Sequence, residues 1–414
     1  MKLSSAATEA AMRGMTGHMD FGKRVRFYRE RRGLHQWQLG ELLNRSEDWV
    51  YRVESGRIPV NTVKMLADLA DALRVHLEDL QGTPALLEDQ GDHKASVPAI
   101  RDALMQSRWL SESLYDRREP PHLERLTADV DRAWRLYQGS KYARLGEVLP
   151  GLLADGRLAT QVCTGGDDKR RALREFALAL HVAAAYLRKL GETNLAWIAV
   201  DQGAIAASET DDPTVVLALR RGAAHVQLGA GLAEKAVNGT LDAARELPPG
   251  WWESSPIALS LYGTLFLNGS VAASRMGDRA QTREMLGQAK RAAERLGAGH
   301  DEMWTAFGPA NVEIHRLATA LEFEDFQCAV DIVPGIQGTG LPAERRARLR
   351  LDAARAYAET GQTDKAVAAL KRAFITAPEQ IRAHEFACDL ARRLHKRTRS
   401  RDVEELAMKL GALR

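Results

Sequence analysis

The side chains with the most specific chemistry lie between Leu34 and Gly56, where planar hydrogen-bonding groups occur close together. Arg52 can donate two hydrogen bonds to O6 and N7 of a guanine. The carboxylates of Glu47 and Asp48 can each accept a hydrogen bond from the amino group of a cytosine. Groups of this kind can pair with DNA base edges where they share one exposed surface.

Two short helices joined by a tight turn would supply that surface. Leucines at helical spacing follow Gln36 and form the first helix. Asn44 can take the left-handed conformation that closes a helix, and Ser46 can cap the next one. Val50 and Val53 give the second helix a buried face. Two crossed helices of this kind leave the exposed side of the second free to enter a DNA major groove.

This segment closely resembles the helix-turn-helix of the phage-repressor-like (Xre/Cro/cI) regulator family. The residues in step with the family pattern are Gln36, Gly40, Ser46, Val50, Val53, Glu54 and Gly56. In that family the first, second and sixth residues of the second helix tend to face base edges, which implies this role for Glu47, Asp48 and Arg52. The DNA-binding residues expected on this basis are Arg24, Arg26, Arg29, Gln36, Ser46, Glu47, Asp48, Trp49, Tyr51, Arg52 and Arg57.

Three of these residues have structural alternatives. Acids at a helix start stabilise the helix dipole, so Glu47 and Asp48 can act by that effect alone. In related domains an Arg on the first helix pairs with the Glu near the end of the recognition helix. The matching residues here are Arg29 and Glu54. A bidentate pair would lock the two helices together, which is a mainly structural role.

The flanking sequence predicts a five-helix domain between Met19 and Leu80, with an apolar core. The helix from Phe21 to Gly33 carries six Lys and Arg residues against Glu30 alone. Such a cluster is either an ordinary solvated face or, beside a helix-turn-helix, a surface that meets phosphate and gives salt-dependent affinity.

The length of 414 residues is too great for one small core, so several domains are expected. We predict a disordered leader (1–18), a DNA-binding domain (19–82), a linker (83–97) and a helical domain (98–414). The net charge is only +3, so attraction to a nucleic acid has to be local. The stretch from Lys23 to Arg57 fits this, with nine Lys and Arg residues against five acids.

Several functional classes lack their signals in this sequence. No apolar run approaches the length of a membrane span, and no signal peptide is recognisable. The three cysteines, which are widely spaced, suit a reducing cytoplasm and show neither zinc spacing nor a disulfide framework. The sequence contains no phosphate-binding glycine loop, no metal-binding His/Glu pair at helical spacing and no nucleophile elbow. We therefore expect a cytoplasmic protein without catalytic residues, metal or cofactor.

From Pro98 onward, helical patterns alternate with short breaks that contain Gly or Pro. The clearest repeat matches the tetratricopeptide pattern of small, aromatic, turn and terminating residues: Ala354, Tyr357, Gly361, Ala366, Leu370, Ala373 and Pro378. The sequence predicts an all-α chain, in which a five-helix DNA-binding domain precedes a right-handed α-solenoid. We expect roughly 12–14 solenoid helices in antiparallel pairs, with a continuous concave surface.

A repressor-like head on a degenerate tetratricopeptide body resembles the bacterial regulators that sense short signalling peptides, including many actinobacterial ones. The resemblance implies a homodimer that binds an inverted-repeat DNA operator, and a body that responds to a short peptide or other small signal. In peptide-sensing members, Asn side chains on inner helices clamp the peptide backbone. The corresponding candidates are Asn268, Asn311, His315 and Arg316, although Asn311 could instead satisfy broken backbone and His315 could be an ordinary packed residue.

The alternative class is a phage- or plasmid-type immunity repressor, or a scaffold. In that case the helical body would only dimerise or would bind an antirepressor protein. A narrow groove lined with polar side chains favours sensing of a small ligand, whereas a flat apolar face favours a protein partner. The sequence leaves both classes open.

Overall fold

The computed structural model describes residues 21–60, 62–75, 77–81, 93–105, 118–119 and 121–413. Within these ranges all regular secondary structure is helical and no strand occurs, which confirms the all-α prediction. The predicted leader and residues 83–92 of the predicted linker lie outside the described residues.

The N-terminal unit, called the head here, contains the five predicted helices. Its core is formed by the apolar residues that the sequence pattern singled out, among them Val25, Leu39, Val50 and Leu69, each at most 1% exposed. Leu42, one of the leucines that follow Gln36 at helical spacing, is not part of this core, since 56% of it is exposed. The head helices are α1 (Phe21–Arg31), α2 (Gln36–Leu42), α3 (Glu47–Glu54), α4 (Val63–Leu73) and α5 (Leu77–Gln81).

The C-terminal unit, called the body, contains more helices than predicted, 16 in the described residues. They are α6 (His93–Met105), α7 (Leu123–Gln138), α8 (Tyr142–Val162), α9 (Gly166–Lys189), α10 (Thr193–Ser208), α11 (Pro213–Gly229), α12 (Ala233–Arg245), α13 (Pro256–Met276), α14 (Arg279–Leu296), α15 (Pro309–Glu322), α16 (Phe326–Ile332), α17 (Ala343–Glu359), α18 (Thr363–Thr376), α19 (Pro378–Arg382), α20 (Glu385–Thr398) and α21 (Arg401–Lys409).

Helix α6 corrects the predicted linker, because it begins at His93 rather than after Val97. Pro98 lies inside this helix. Val97, Ile100 and Leu104 are buried against the first body helices and supply the apolar stripe that holds the segment helical. The stripe begins inside the segment that was assigned to the linker for its polar composition.

The body is built from helix pairs, and the best sequence repeat coincides with α17 and α18. Ala354, Ala366 and Ala373 are fully buried where these helices meet. Gly361 has a φ of 77° in the turn between them, a conformation that favours glycine. Pro378 begins a further short helix, α19, instead of leading into a loop.

The first helices of successive pairs form an inner layer: α7, α9, α11, α13, α15 and α17. Each contacts the next along the chain, and α17 also contacts α7. The Ser140 hydroxyl donates to Gln380 Oε1 (2.8 Å), and the Ala143 N–H donates to Glu379 Oε2 (2.8 Å), beside this junction. The inner layer is therefore a closed ring, a closure that the predicted continuous concave surface of the solenoid did not specify.

Helix α13 is the one described helix that is long and apolar enough, by composition, to cross a membrane. However, 89% of its most apolar window is buried inside the structure, where it contacts α11, α12, α14 and α15. Its backbone approaches a neighbouring aromatic residue closely. A methyl group added at Gly263 would overlap the ring of Phe307, which is 1% exposed.

We expect Gly263→Ala to lower the free energy of unfolding by about 1–3 kcal/mol, because the ring of Phe307 cannot move without disturbing a packed core. The control is Gly287→Ala on the adjacent helix α14, where an added methyl meets nothing closer than 3.9 Å. That variant should be neutral or more stable by up to about 1 kcal/mol, because alanine favours helix. Urea denaturation of both variants measures the difference, and equal stability would contradict the packing argument.

Candidate functional site

Helix α3 presents a polar face to solvent. Ser46 caps it by accepting a hydrogen bond from the Trp49 N–H (3.1 Å), and Asn44 has a left-handed φ of 54° in the turn before it. Val50 and Val53 are 1% exposed and fix the inward side. The outward side carries four candidates at helical spacing, all exposed: Glu47, Asp48, Tyr51 and Arg52.

Within this face, Arg52 and Asp48 already form an ion pair. The distance from Arg52 Nε to Asp48 Oδ2 is 2.9 Å, and both side chains are more than half exposed. In an exposed pair of this kind the attraction is weak, about 0.3–0.5 kcal/mol, so either group can exchange its partner for a base. The pair aligns a donor of the guanine type and an acceptor of the cytosine type on one surface.

The recognition helix is held by the predicted ion pair between Arg29 and Glu54. Arg29 Nε donates to Glu54 Oε1 (2.5 Å) and Nη2 donates to Oε2 (3.1 Å), which confirms the bidentate pair. Arg29 Nη1 also donates to the Leu34 carbonyl (2.7 Å), and Gln36 Nε2 donates to Glu54 Oε2 (2.7 Å). One buried carboxylate therefore ties together α1, the start of α2 and the end of α3.

Helix α1 divides its basic residues between two sides. Arg26 is exposed and its Nε lies 2.7 Å from Glu30 Oε1. Arg24 differs from the prediction: it is 5% exposed, and its Nε donates to the carbonyl of Leu80 at 2.7 Å. Residues 24, 25, 28 and 29 share the inward face of the helix. Arg24 and Arg29 therefore stabilise the head by internal contacts, while Arg26 remains exposed and can contact phosphate.

The remaining predicted DNA-binding residues surround the outward face of α3. Arg57 stacks on Tyr51, with 5.1 Å between the guanidinium carbon and the ring centroid. Arg45, which the sequence analysis did not single out, stacks in the same way on the half-buried Trp49 at 5.5 Å. Both stacks orient a guanidinium beside the recognition helix, where a DNA backbone would pass if α3 entered the major groove.

The two candidate clamp amides lie on inner helices but are deeply buried. Asn268 on α13 is 3% exposed, and its Nδ2 donates to the Arg221 carbonyl at 3.3 Å. Asn311 on α15 is fully buried; its Nδ2 donates to the Thr305 carbonyl (3.4 Å), and its Oδ1 has no partner among the described residues. Asn311 therefore keeps a free acceptor, whereas the amide nitrogen of Asn268 is engaged with the protein backbone.

His315 and Arg316 lie on different sides of α15. His315 is 9% exposed, and its Nδ1 donates to the Asn311 carbonyl at 2.8 Å. Burial, reinforced by the charge of Arg345, lowers the pKa of His315 from 6.5 to about 4. The half-exposed Arg316 pairs with Glu313 at 2.7 Å, so it is held away from His315 by a local ion pair.

The sequence analysis missed a group of basic residues on the inner helices. Coulomb interactions link its members and lower the pKa values of its two histidines, for which burial is the largest cause. We call it the inner basic cluster: Arg188, Arg221, His225, His315, Arg345 and Arg348. The only sequence feature that could have indicated this cluster is a basic residue in most of the inner helices. An ordinary solvent-exposed helix face shows the same feature.

A contact between head and body adjoins this cluster. Glu322, at the end of α15, accepts a hydrogen bond from the Val63 N–H at the start of α4 (3.1 Å). Its other oxygen lies 3.4 Å from Arg275 Nε, and Arg275 Nη1 donates to the Leu228 carbonyl (2.7 Å). Phe386 of the body also packs against the head core. The head is therefore attached to the body by a carboxylate on the inner helix α15 and by an aromatic ring on α20.

With this geometry in view, comparison with known proteins bears on the head. Residues 20–81 match the family model described as a helix-turn-helix domain. The head is a helix-turn-helix domain. No curated protein matches the chain by sequence. Among solved structures, the chain is similar to the crystal structure of Bacillus thuringiensis PlcR in complex with the peptide PapR7 and DNA, at 14% identity and a TM-score of 0.30. That alignment covers 67% of this chain and 95% of the PlcR chain.

We expect Glu54→Gln to destabilise the head and to weaken DNA binding. The substitution removes the buried carboxylate of Arg29 and leaves only the half-exposed Glu30, 3.6 Å from Nη2. Breaking a buried ion pair typically costs about 3–5 kcal/mol, and Glu30 should place the loss at the lower end of that range. The control is Glu41→Gln on the exposed side of α2, which should leave stability unchanged. Hydrogen exchange of the α3 amides in the full chain measures the effect, and unchanged protection in Glu54→Gln would contradict it.

We also expect the body to lose stability as the pH falls from 7 to 5. Unfolded His315 binds a proton near pH 6.5, whereas the folded form does so only near pH 4, so unfolding takes up a proton in this window. The loss from this residue should be about 2 kcal/mol at pH 5. Denaturant titrations at both pH values should show a smaller loss in His315→Gln than in the unsubstituted chain, and equal losses would contradict the buried neutral histidine.

Titration of Glu344 does not contribute to the loss of stability between pH 7 and 5. Burial opposes its ionisation, but the charges of Lys189 and Arg345 outweigh burial and hold the pKa of Glu344 below its ordinary value of 4.5. Its contribution is therefore present above pH 4.5 and is lost only at lower pH.

Proposed function

We propose that the chain is a transcription regulator that binds an inverted-repeat operator as a homodimer. The observation that carries the proposal is the outward face of α3, with Asp48 and Arg52 aligned on a helix that the Arg29–Glu54 pair fixes in place. A single recognition helix reads few base pairs, and two half-sites about one helical turn apart give the usual specificity. This function suits a cytoplasmic protein.

Selection from a random DNA pool, followed by sequencing, tests the proposal and supplies a duplex for mutagenesis. Arg52→Ala should weaken binding to the selected duplex by about 1–3 kcal/mol and relax its specificity, as expected for a base contact. Arg26→Ala is the matched control: it should weaken selected and scrambled duplexes alike and reduce the salt dependence by about one ion. If the unsubstituted chain binds selected and scrambled duplexes equally, sequence-specific regulation is wrong.

We further infer that the body senses a short peptide or another small signal on its inner helices and alters operator binding. The supporting observation is the contact of Glu322 with both Arg275 and Val63, because Glu322 also interacts electrostatically with Arg348 of the inner basic cluster. A ligand that shifts this cluster would change the support of α4. Such coupling requires that the ligand bind more tightly to one conformation of the body than to the other. The coupling free energy between two such sites is typically about 1–3 kcal/mol.

Glu322→Gln should reduce the response of DNA affinity to cell-extract fractions, because the neutral amide attracts Arg275 and Arg348 less strongly. The control is Glu324→Gln, an exposed position two residues later. Fluorescence anisotropy with the selected duplex measures affinity with and without each fraction. A full response in Glu322→Gln would contradict the proposed route.

The clamp residues are tested in the same assay. Asn311→Ala should reduce the response, and Asn268→Ala should do so together with a loss of stability, since its amide also holds the Arg221 backbone. An unchanged response in both variants would exclude them as clamps. If no fraction changes the DNA affinity of the unsubstituted chain, the immunity-repressor or scaffold alternative replaces sensing.

A further inference from the structure

Arg221 is the most unusual residue of the inner ring. It lies in the middle of α11 and is 4% exposed, and neither its Nε nor its Nη2 has a hydrogen-bond partner among the described residues. Its neighbour Arg220 is ordinary by comparison, since it forms an ion pair with Glu246 at the end of α12. A buried charge without hydrogen bonds is costly, so the sequence keeps Arg221 inside against a clear energetic preference.

Arg188, on α9, repeats this feature beside Arg221. Its Nε is also buried without a partner in the described part of the chain, and its aliphatic stem lies against the backbone of Gly229. His181 of the same helix packs on Gly222, where an added methyl would lie 2.9 Å from the ring. Two inner helices therefore direct donors from Arg188 and Arg221 into one interior region.

The inner acids do not compensate these two arginines at short range. Glu344 is 2.6 Å from Lys189 Nζ and 3.5 Å from Arg345 Nε, and Asp352 is 2.7 Å from Arg348 and 3.3 Å from Arg355.

Asp301 interacts with Arg221 only at longer range. Its Oδ1 accepts hydrogen bonds from Gln138 Nε2 (2.8 Å) and the Ala306 N–H (2.7 Å), and its Oδ2 lies 2.9 Å from the same Gln138 nitrogen. Each of these acids thus makes its short contacts with other partners, and Glu344 and Asp301 attract Arg188 and Arg221 only at longer range. The basic groups named here outnumber the acids.

The titration of neighbouring groups agrees with that excess. Burial, together with the charges of Arg345 and Arg188, lowers the pKa of Arg221 to about 10. Burial and the same arginines hold the pKa of His225 well below 6.5, so its imidazole is neutral at pH 7. His181 is neutral for the same reasons, with burial first and Arg221 second. An incoming negative charge would relieve the repulsion among Arg188, Arg221 and Arg345.

We propose that Arg188 and Arg221 bind the oxyanion group of a small ligand, either a carboxylate or a phosphate, inside the ring. This rests on the proposed sensing function and narrows its ligand to an acidic one. Guanidinium groups bind both oxyanions through paired N–H donors, and such hydrogen bonds are strong where water is excluded. The neutral rings of His181 and His225 would border the same group.

Isothermal titration of the full-length chain at fixed ionic strength tests the site, with citrate as the carboxylate probe, pyrophosphate as the phosphate probe and chloride as the reference. We expect at least one probe to bind and to raise the thermal unfolding temperature above that in chloride. Arg221→Met should weaken this binding by about tenfold or more, as the loss of a charged hydrogen-bonding group implies. The same variant should unfold at a higher temperature than the unsubstituted chain in chloride alone.

The matched control is Arg220→Gln, which removes the adjacent positive charge but faces α12; it should bind the probes within about twofold of the unsubstituted chain. Where Arg221→Met does not fold, Arg188→Met gives the same comparison at a less deeply buried position. If neither probe binds, or if binding survives both Arg221→Met and Arg188→Met, the site is wrong. Survival in those variants with loss in Arg26→Ala would assign the anion to the head instead.

The outcome also separates this site from the sensing function. Anion binding that depends on Arg221 but leaves DNA affinity unchanged would support the site and contradict sensing through it. A DNA response to an extract fraction that persists in Arg221→Met would support sensing and overturn the acidic ligand.

Discussion

The body depends on how closely its helices approach one another. At two glycines inside helices, an aromatic side chain lies directly on the backbone: Phe307 packs on Gly263, and His181 packs on Gly222. Such contacts let consecutive first helices pack tightly enough for α17 to reach α7. Larger side chains in place of these two glycines would push the helices apart, and α17 would no longer reach α7.

Closure of the ring has an electrostatic consequence. Polar side chains that would line an open groove are enclosed instead, so their charges have to be balanced inside the protein. Acids balance part of the charge: Glu344 with Lys189, and Asp352 with two arginines. The histidines adapt by remaining neutral, as the pKa of about 4 for His315 illustrates. The remaining imbalance is local and centres on Arg221, where sequence neighbours on the same helix, such as Arg220, have ordinary partners.

Much of the head could be predicted from sequence, because its determinants are local. A cap at Ser46, a left-handed Asn44 and inward valines on α3 depend on residues a few positions apart. The Arg29–Glu54 pair spans 25 residues, yet the family pattern indicated it. The role of Arg24 was harder to predict. A basic residue in a basic helix gives no sign that it donates a hydrogen bond to the carbonyl of Leu80, 56 residues away.

Prediction was poorer for the body because its decisive contacts join distant repeats. Helical periodicity indicated the pairs, and the repeat at α17 and α18 was correctly located. Nothing in a single repeat reveals that Ser140 meets Gln380, 240 residues later. Nor does it reveal that Nε and Nη2 of Arg221 have no hydrogen-bond partner among the residues that the structure describes. The clamp candidates differ in this respect: Asn268 contacts the carbonyl of Arg221, 47 residues away, whereas Asn311 contacts that of Thr305, only six residues away.

The hydrogen bond between Val63 and Glu322 also bears on how the chain is made. Its two residues are separated by 259 positions. At roughly 5–20 residues per second, a ribosome needs about 13–52 seconds to synthesise the intervening chain. The residues of the recognition helix and of its Arg29–Glu54 brace are all synthesised long before that, because they precede Val63 in the chain. A nascent chain therefore holds a finished head for many seconds before the carboxylate that attaches it to the body has been made.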